Sequence, residues 1–417
     1  MSRIKDYLMD IEEGRIVPGE IQDKSVCADH FDSTFLQKYI KENGNVGECS
    51  YCHKRHIVLP LPDFVKLVRS KIESEFENVD DAGLPTERSY FDDDDEELPG
   101  LRRFMGFTAP SEAQCYEDTA EVLDAIDLLP QPEALYNDIL EALPSHAWIS
   151  SDPFIISRDD ELSLHWNNFS EMVKHRQRFT FWTKKEYSGV PSEYDNCLMD
   201  ILHELGSLIH EPDLCKVLEP KELIYRARPI TEDTPLEFKE ITSPPDDYAS
   251  QGRMSPAGIS MFYGGFDEET VRRECTPKTK HDGKGRFLIG KFHPRKPLLI
   301  LDLTDIPKPL FWEQNGDYRE KLSFLNIFSK EISKPIVSDD KIHIEYVPTQ
   351  VFTEYLRYVF KYYGKESLDG VKYRSSINNR PCIVLFCNQK ESEGILSLES
   401  IEDVTCYERF IRNGLYG

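Results

Sequence analysis

Residues 223 to 275 concentrate the side chains best suited to act on a phosphorylated small molecule. Arg226 and Arg228 lie in LIYRARPI, and Arg253, Tyr263 and Glu274 follow in RMSPAGISMFYGGFDEETVRREC. Arginine forks match the geometry of a pyrophosphate and a tyrosine ring offers its face to a flat heterocycle, so the set suits a dinucleotide. Glu274 falls on the inner face of a short helix expected to start near Asp267. Expelling an alkoxide from a glycoside takes two carboxylates, one of them an acid for the leaving group. A pyridinium that departs as a neutral base needs only one, to stabilise the developing oxocarbenium. A lone glutamate near arginines meets that requirement, although the same residue types also serve on solvated helices and in cores.

A second constellation lies near the N-terminus. Cys27-Ala28-Asp29-His30 is followed by eighteen residues and then by Cys49-Ser50-Tyr51-Cys52. Two chelating pairs, each spaced by two residues, can grip one tetrahedral zinc from two tight turns. His53 and His56 are alternatives to His30 as the fourth ligand. Four protein ligands leave no open position, so the expected zinc is structural.

These residues need elements to hold them. Between the two chelating pairs, Phe35, Leu36, Tyr39 and Ile40 have helical spacing, and so do the apolar residues of 64–72, 112–126, 133–143 and 193–209. The pattern then changes to short β-rich runs at 223–227, 287–292, 298–303 and 382–386, punctuated by Gly and Pro. A boundary near 190–220 follows, between a mostly helical N-terminal half and a mixed C-terminal half, an α+β chain overall. Trp166, Phe169, Val173, Phe179 and Phe181 are expected to form core rather than a nucleobase platform.

Composition limits the partners. A formal charge of −25 and a pI near 4.9 oppose binding to a phosphate backbone, so nucleic acid is disfavoured. No signal-like or membrane-length apolar run occurs, and a soluble cytoplasmic protein is expected. Of ten cysteines, seven are scattered singly and read as reduced core residues. The run FDDDDEELPG at 91–100 reads as an exposed loop. Against the global charge, 271–296 holds nine Lys or Arg and two acids, a solvated loop or the entrance for an anionic substrate.

From about residue 220 onward the sequence resembles the RES domain, a family of NAD-degrading, toxin-like enzymes named for an Arg, a Glu and a Ser. The resemblance rests on Tyr225-Arg226, on Arg253-Met254-Ser255-Pro256-Ala257-Gly258, on Met261-Phe262-Tyr263, and on Thr270 and Glu274. Downstream it continues through Asp369-Gly370 to Tyr373-Arg374-Ser375-Ser376, preceded by a segment at 346–357 similar to the helix before the family's serine. It implies an ADP-ribosyltransferase-like α/β fold and NAD breakdown by hydrolysis or phosphorolysis, with ADP-ribosyl transfer to a macromolecule as the alternative. Arg226 and Arg253 would then hold phosphates of NAD, Tyr263 would pack on the nicotinamide end and Glu274 would face the anomeric carbon. Ser375, or Ser376 in its place, would hydrogen-bond near the nicotinamide or its ribose. The family's Arg-Trp-Asn string is Arg253-Met254-Ser255 here, which puts the contact of that Trp in doubt.

The N-terminal half resembles the helical HEPN-like domain that accompanies some RES domains. The implied organisation is a zinc-knuckle module at 1–60, a HEPN-like helical domain at 61–210 and a RES catalytic domain at 211–417. Arg158 and His165 fit the spacing of HEPN ribonucleases, which makes RNA cleavage or RNA binding a further alternative. Phosphate and a separate antitoxin or regulatory protein are the other partners that the resemblance implies.

Overall fold

A computed structural model describes residues 19–82, 115–151, 157–180, 193–230, 234–275, 284–335 and 341–407. The acidic run at 91–100, residues 276–283 of the basic run, Phe181 and the start of the 112–126 segment lie outside the described residues. The chain forms two compact units, one of Met1–Arg158 with Pro309–Glu320 and one of Asp159–Lys308 with Lys321–Gly417.

The first unit opens with strand β1 (Ser25–Cys27), helix α1 (Thr34–Asn43) and strands β2 (Asn45–Glu48) and β3 (Arg55–Pro60), with β3 central in an antiparallel sheet. Ser33 caps α1 by accepting the Leu36 amide at 3.2 Å, and Leu36 and Ile40 are its buried residues. The chain turns at Gly44, where a Cβ would stand 2.6 Å from the carbonyl oxygens of Ile40 and Val58, so only glycine fits. Helix α2 (Leu61–Glu73) buries Leu61, Phe64, Val65, Val68 and Ile72, the stripe expected from the sequence. Each such side chain contributes about 1.5 to 3 kcal/mol of burial. Strands β4 (Phe76–Asn78), β5 (Cys115–Tyr116) and β6 (Trp148–Ser150) make a second small sheet, with α3 (Thr119–Ala125) and α4 (Glu133–Glu141) between β5 and β6. Phe311 and Trp312, from the 309–320 segment, enter the same core, where the Trp312 indole donates to the Ile126 carbonyl at 2.9 Å.

The second unit is built on an eight-stranded sheet. Its strands are β7 (Cys215–Leu218), β8 (Ile224–Pro229), β9 (Phe262–Gly265), β10 (Lys284–Pro294), β11 (Leu298–Asp302), β12 (Gly370–Arg374), β13 (Pro381–Leu385) and β14 (Leu396–Tyr407). Their order is β14-β10-β8-β9-β13-β12-β11-β7, and only β11 and β12 run parallel. Helices α5 (Arg158–His175), α6 (Glu193–His210), α7 (Glu268–Cys275), α8 (Gly316–Ser333), α9 (Val347–Tyr358) and α10 (Gln389–Ile395) accompany it. Most of α5 and all of α6 belong to this compact unit, although the sequence groups them with the N-terminal helices. The packing explains why: Trp166 meets the rings of Phe328 and Phe352 at 4.9 and 6.5 Å, and Gly206 of α6 packs against Tyr355. Trp166, Phe169 and Val173 are core as expected, whereas Phe179 is 82% exposed. Among the described residues no helix is long and apolar enough to cross a membrane.

Candidate active site

Arg226 sits in β8, between β10 and β9. Its Nη1 donates to the Tyr263 carbonyl at 2.7 Å, and its guanidinium lies 5.1 Å from the Phe262 ring centroid. Its Nε is buried without a hydrogen-bond partner. Burial draws its pKa down to about 10, so the group stays cationic at neutral pH while missing part of its solvation. A desolvated cation with a spare donor at a cavity wall is a receptor for an anion. Arg228 is engaged elsewhere, donating to the Glu240 carbonyl at 2.6 Å and to its carboxylate at 3.1 Å.

Glu274 is carried by α7. Asp267 caps that helix, accepting the Thr270 amide at 2.9 Å and the Thr270 hydroxyl at 2.7 Å. Partial burial alone would raise the Asp267 pKa, but these hydrogen bonds and Arg380 outweigh it and hold the carboxyl below its ordinary value. The turn between β12 and β13 clamps the same helix. Ser375 donates to the Glu274 carboxylate, Asn378 donates to the Thr270 hydroxyl at 2.9 Å, and Arg380 pairs with Asp267 at 3.1 Å. This turn closes through a Ser375 amide bond to the Arg380 carbonyl and a left-handed Asn379 at φ 59°. Ser375 is buried and reaches the cavity through Glu274, whereas Ser376 lines it directly.

The loop before β9 forms another part of the lining. The Tyr263 hydroxyl accepts the Met254 amide at 3.1 Å and lies 2.9 Å from the Ser255 hydroxyl. Burial raises the Tyr263 pKa, so the phenol is neutral. A Cβ at position 252 would stand 2.5 Å from that hydroxyl, which leaves room only for glycine. The start of α9 braces the loop. Gln350 donates to the carbonyls of Gly252 and Ser255 at 2.9 and 3.2 Å, and Thr349 donates to that of Arg253 at 2.7 Å. Arg253 in turn donates to the Ile332 carbonyl at 2.8 Å and lies 5.0 Å from the Tyr346 ring centroid. Met254, at the position of the family's Trp, is buried in the core.

Arg226, Arg253, Tyr263, Glu274 and Ser376 thus converge on one cavity of about 340 Å³. Among its described lining residues Glu274 is the sole carboxylate. Cys275, Cys382, Tyr346 and Tyr373 also line it; the two tyrosines fall within segments that carry the resemblance but are given no role by it. The described part of the basic run is largely neutralised, with Arg272 paired to Glu268, Arg273 to Glu269, Arg286 to Asp403 and Lys291 to Glu402.

In the first unit the side chains of Cys27, His30, Cys49 and Cys52 place their donor atoms within 4.8 Å of one another. The sulfurs of Cys27 and Cys52 are 3.7 Å apart, and His30 Nε2 is 3.3 Å from the sulfur of Cys49. Burial pushes the Cys27 thiol up to about 12. At Cys49 burial acts the same way but is outweighed by the backbone amides of Cys52 and Tyr51 and by His30, which draw the thiol down to about 6. The set can hold a metal ion. Of the alternative histidines, His53 faces Glu48 at 3.7 Å and His56 faces Asp29 at 3.6 Å. His56, Asp29 and Cys27 form a smaller adjoining group.

Arg158 begins α5, and His165 lies within that helix with its Nδ1 3.7 Å from Glu204.

The fold and site define an α+β protein in which a sheet-rich unit holds a cavity whose described lining includes two arginines and one carboxylate, and the other unit carries a Cys/His cluster. Residues 223–405 match the RES domain, and residues 42–187 match the HEPN/RES N-terminal domain 1. Comparison with curated proteins and with solved structures gives no match.

Proposed function

We propose that the RES unit cleaves the bond between nicotinamide and ribose in NAD, passing the ADP-ribosyl group to water or to inorganic phosphate in a toxin-like or defence role. The observation that carries this reading is the meeting, in one cavity, of a single carboxylate with a buried arginine that retains an unmatched N–H. The match of residues 223–405 to the RES domain supports the same substrate.

In this reading Arg226 and Arg253 hold the pyrophosphate and Tyr263 packs beside the nicotinamide end. The C–N bond breaks with its electron pair passing to the pyridinium nitrogen, so nicotinamide leaves neutral and no general acid is required. Positive charge moves onto the ribose, where the Glu274 carboxylate, aligned by Ser375, stabilises it. The oxygen of a water molecule then bonds to the anomeric carbon and a proton passes to solvent, or an oxygen of inorganic phosphate bonds there instead. Because Ser375 donates to Glu274, its role is to fix the carboxylate, and Ser376 is the hydroxyl free to meet the ligand.

Zinc is the ion that suits the other cluster. Two sulfurs about 2.3 Å from a tetrahedral zinc stand about 3.8 Å apart, close to the Cys27–Cys52 separation of 3.7 Å. Cys27, His30, Cys49 and Cys52 would fill the coordination sphere and fix the turns between β1, β2 and β3.

Incubating purified protein with NAD, with and without phosphate, tests the proposal. Release of nicotinamide is expected, with ADP-ribose as the hydrolytic product or its phosphorylated form where phosphate is required. A labelled macromolecule would select ADP-ribosyl transfer instead. Intact NAD with cleaved RNA would move the activity to Arg158 and His165, a reading disfavoured by the position of His165 against Glu204.

A further inference from the structure

We propose that Tyr346 is the adenine-stacking residue of the cavity, an inference that rests on NAD being the substrate. Tyr346 lies between two helical segments, immediately before α9, and lines the same cavity as Arg226 and Glu274. The Arg253 guanidinium packs over its ring, and Arg253 is itself held by the Ile332 carbonyl. A ring held by a cation is fixed in orientation, with little rotamer freedom left to lose when a flat partner stacks on it.

The walls of the cavity assign the end of the ligand. Glu274 is set by α7 and the β12–β13 turn, through Ser375, Asn378 and Arg380. Tyr346 belongs to a different part of the lining, made by the 249–255 loop and the start of α9, where Thr349 and Gln350 donate to the carbonyls of Gly252, Arg253 and Ser255. A dinucleotide with its anomeric carbon at Glu274 and its phosphates between Arg226 and Arg253 sends its second heterocycle toward the Tyr346 wall. Met254, which could have offered an aromatic face had it been a Trp, is buried in the core. Tyr263, whose hydroxyl bonds to the same loop, is taken up at the nicotinamide end, which leaves Tyr346, beside Arg253, to stack on the adenine.

Two readouts test this in the full-length protein: calorimetric binding of AMP, which involves no chemistry, and steady-state cleavage of NAD and of nicotinamide mononucleotide, which lacks adenine. Tyr346→Ala is expected to weaken AMP binding and raise the NAD KM on the order of tenfold to a hundredfold, the range seen when a base loses its aromatic partner. NAD kcat should change by less than about threefold, and cleavage of the mononucleotide should suffer far less than that of NAD. Tyr346→Trp should bind AMP as tightly as the parent, which separates loss of stacking from disruption of Arg253 or of folding. AMP binding that depends on Tyr346 in a protein unable to cleave NAD would uphold this proposal and overturn the proposed reaction. No binding of AMP by the parent protein, equal AMP binding by Tyr346→Ala, or equal damage to NAD and mononucleotide cleavage would overturn the role of Tyr346.

Discussion

The Cys/His cluster and the RES cavity treat their polar groups in opposite ways. At the cluster, four donors from two short turns face one another within 4.8 Å, and two of the three cysteines are fully buried. Its valences are directed at one point, and a single ion would satisfy all of them. At the cavity, contributions come from strand β8, the loop before β9, helix α7 and the β12–β13 turn, and Arg226 keeps a buried N–H with no partner. Closed chemistry of the first kind stabilises a fold, whereas open chemistry of the second kind waits for a ligand.

Removing the metal should have the largest effect and would break the comparison if it did not. Structural zinc supplies on the order of 10 kcal/mol or more of apparent binding energy to a small module. Chelation or Cys49→Ser is therefore expected to unfold the β1–β3 sheet, read by hydrogen exchange, while NAD cleavage by the RES unit persists. Metal analysis should find one zinc per chain; freshly purified protein without zinc would contradict the assignment.

Ser375→Ala sharpens the cavity side. A hydrogen bond to a charged group contributes about 1.5 to 3 kcal/mol, so kcat should fall about tenfold to a hundredfold as the Glu274 carboxylate loses its alignment, with KM nearly unchanged. A rise in KM with kcat preserved would instead make Ser375 a ground-state contact to the substrate. Ser376→Ala is expected to show that second pattern.

The smallest effect concerns the support of α7. Asp267→Ala removes an N-cap and should cost about 1 kcal/mol of stability at neutral pH. Because the folded Asp267 carboxyl titrates below its ordinary value of 3.8, this contribution is fully present above that value and is lost as the pH falls through the lower folded value. The difference in melting temperature between parent and variant should therefore close in strong acid. A gap that stays constant would mean that the charge of Asp267 is not what holds the helix.

The same contrast governs what the sequence discloses. The cluster is legible because both chelating pairs are local, and helices such as Leu61–Glu73 and Glu133–Glu141 declare themselves by periodicity. The small sheets of the first unit are not legible, since strands of two to four residues such as Cys115–Tyr116 are too short to show alternation. Nor could periodicity show that Phe311 and Trp312 return to the N-terminal core. In the cavity, Arg226, Tyr263 and Glu274 can be picked out by residue type and resemblance. Tyr346 cannot, because its role depends on Arg253, ninety-odd positions earlier in the chain, packing over its ring. The short YVPTQ string does carry one signal, a proline in the first turn of a helix, which marks the helix start just after the tyrosine.

The central claim is that a single carboxylate drives the reaction, and the cleavage rate of Glu274→Gln tests it most directly. In the proposed reaction the charge of Glu274 matters little to bound NAD and stabilises the cation that develops on the ribose, so its neutral isostere should bind NAD normally. Loss of such a preorganised charge costs about 3 to 4 kcal/mol, which predicts a fall in kcat of at least about a hundredfold with an unchanged affinity for NAD. A folded Glu274→Gln protein that cleaved NAD at nearly the parental rate would contradict the account.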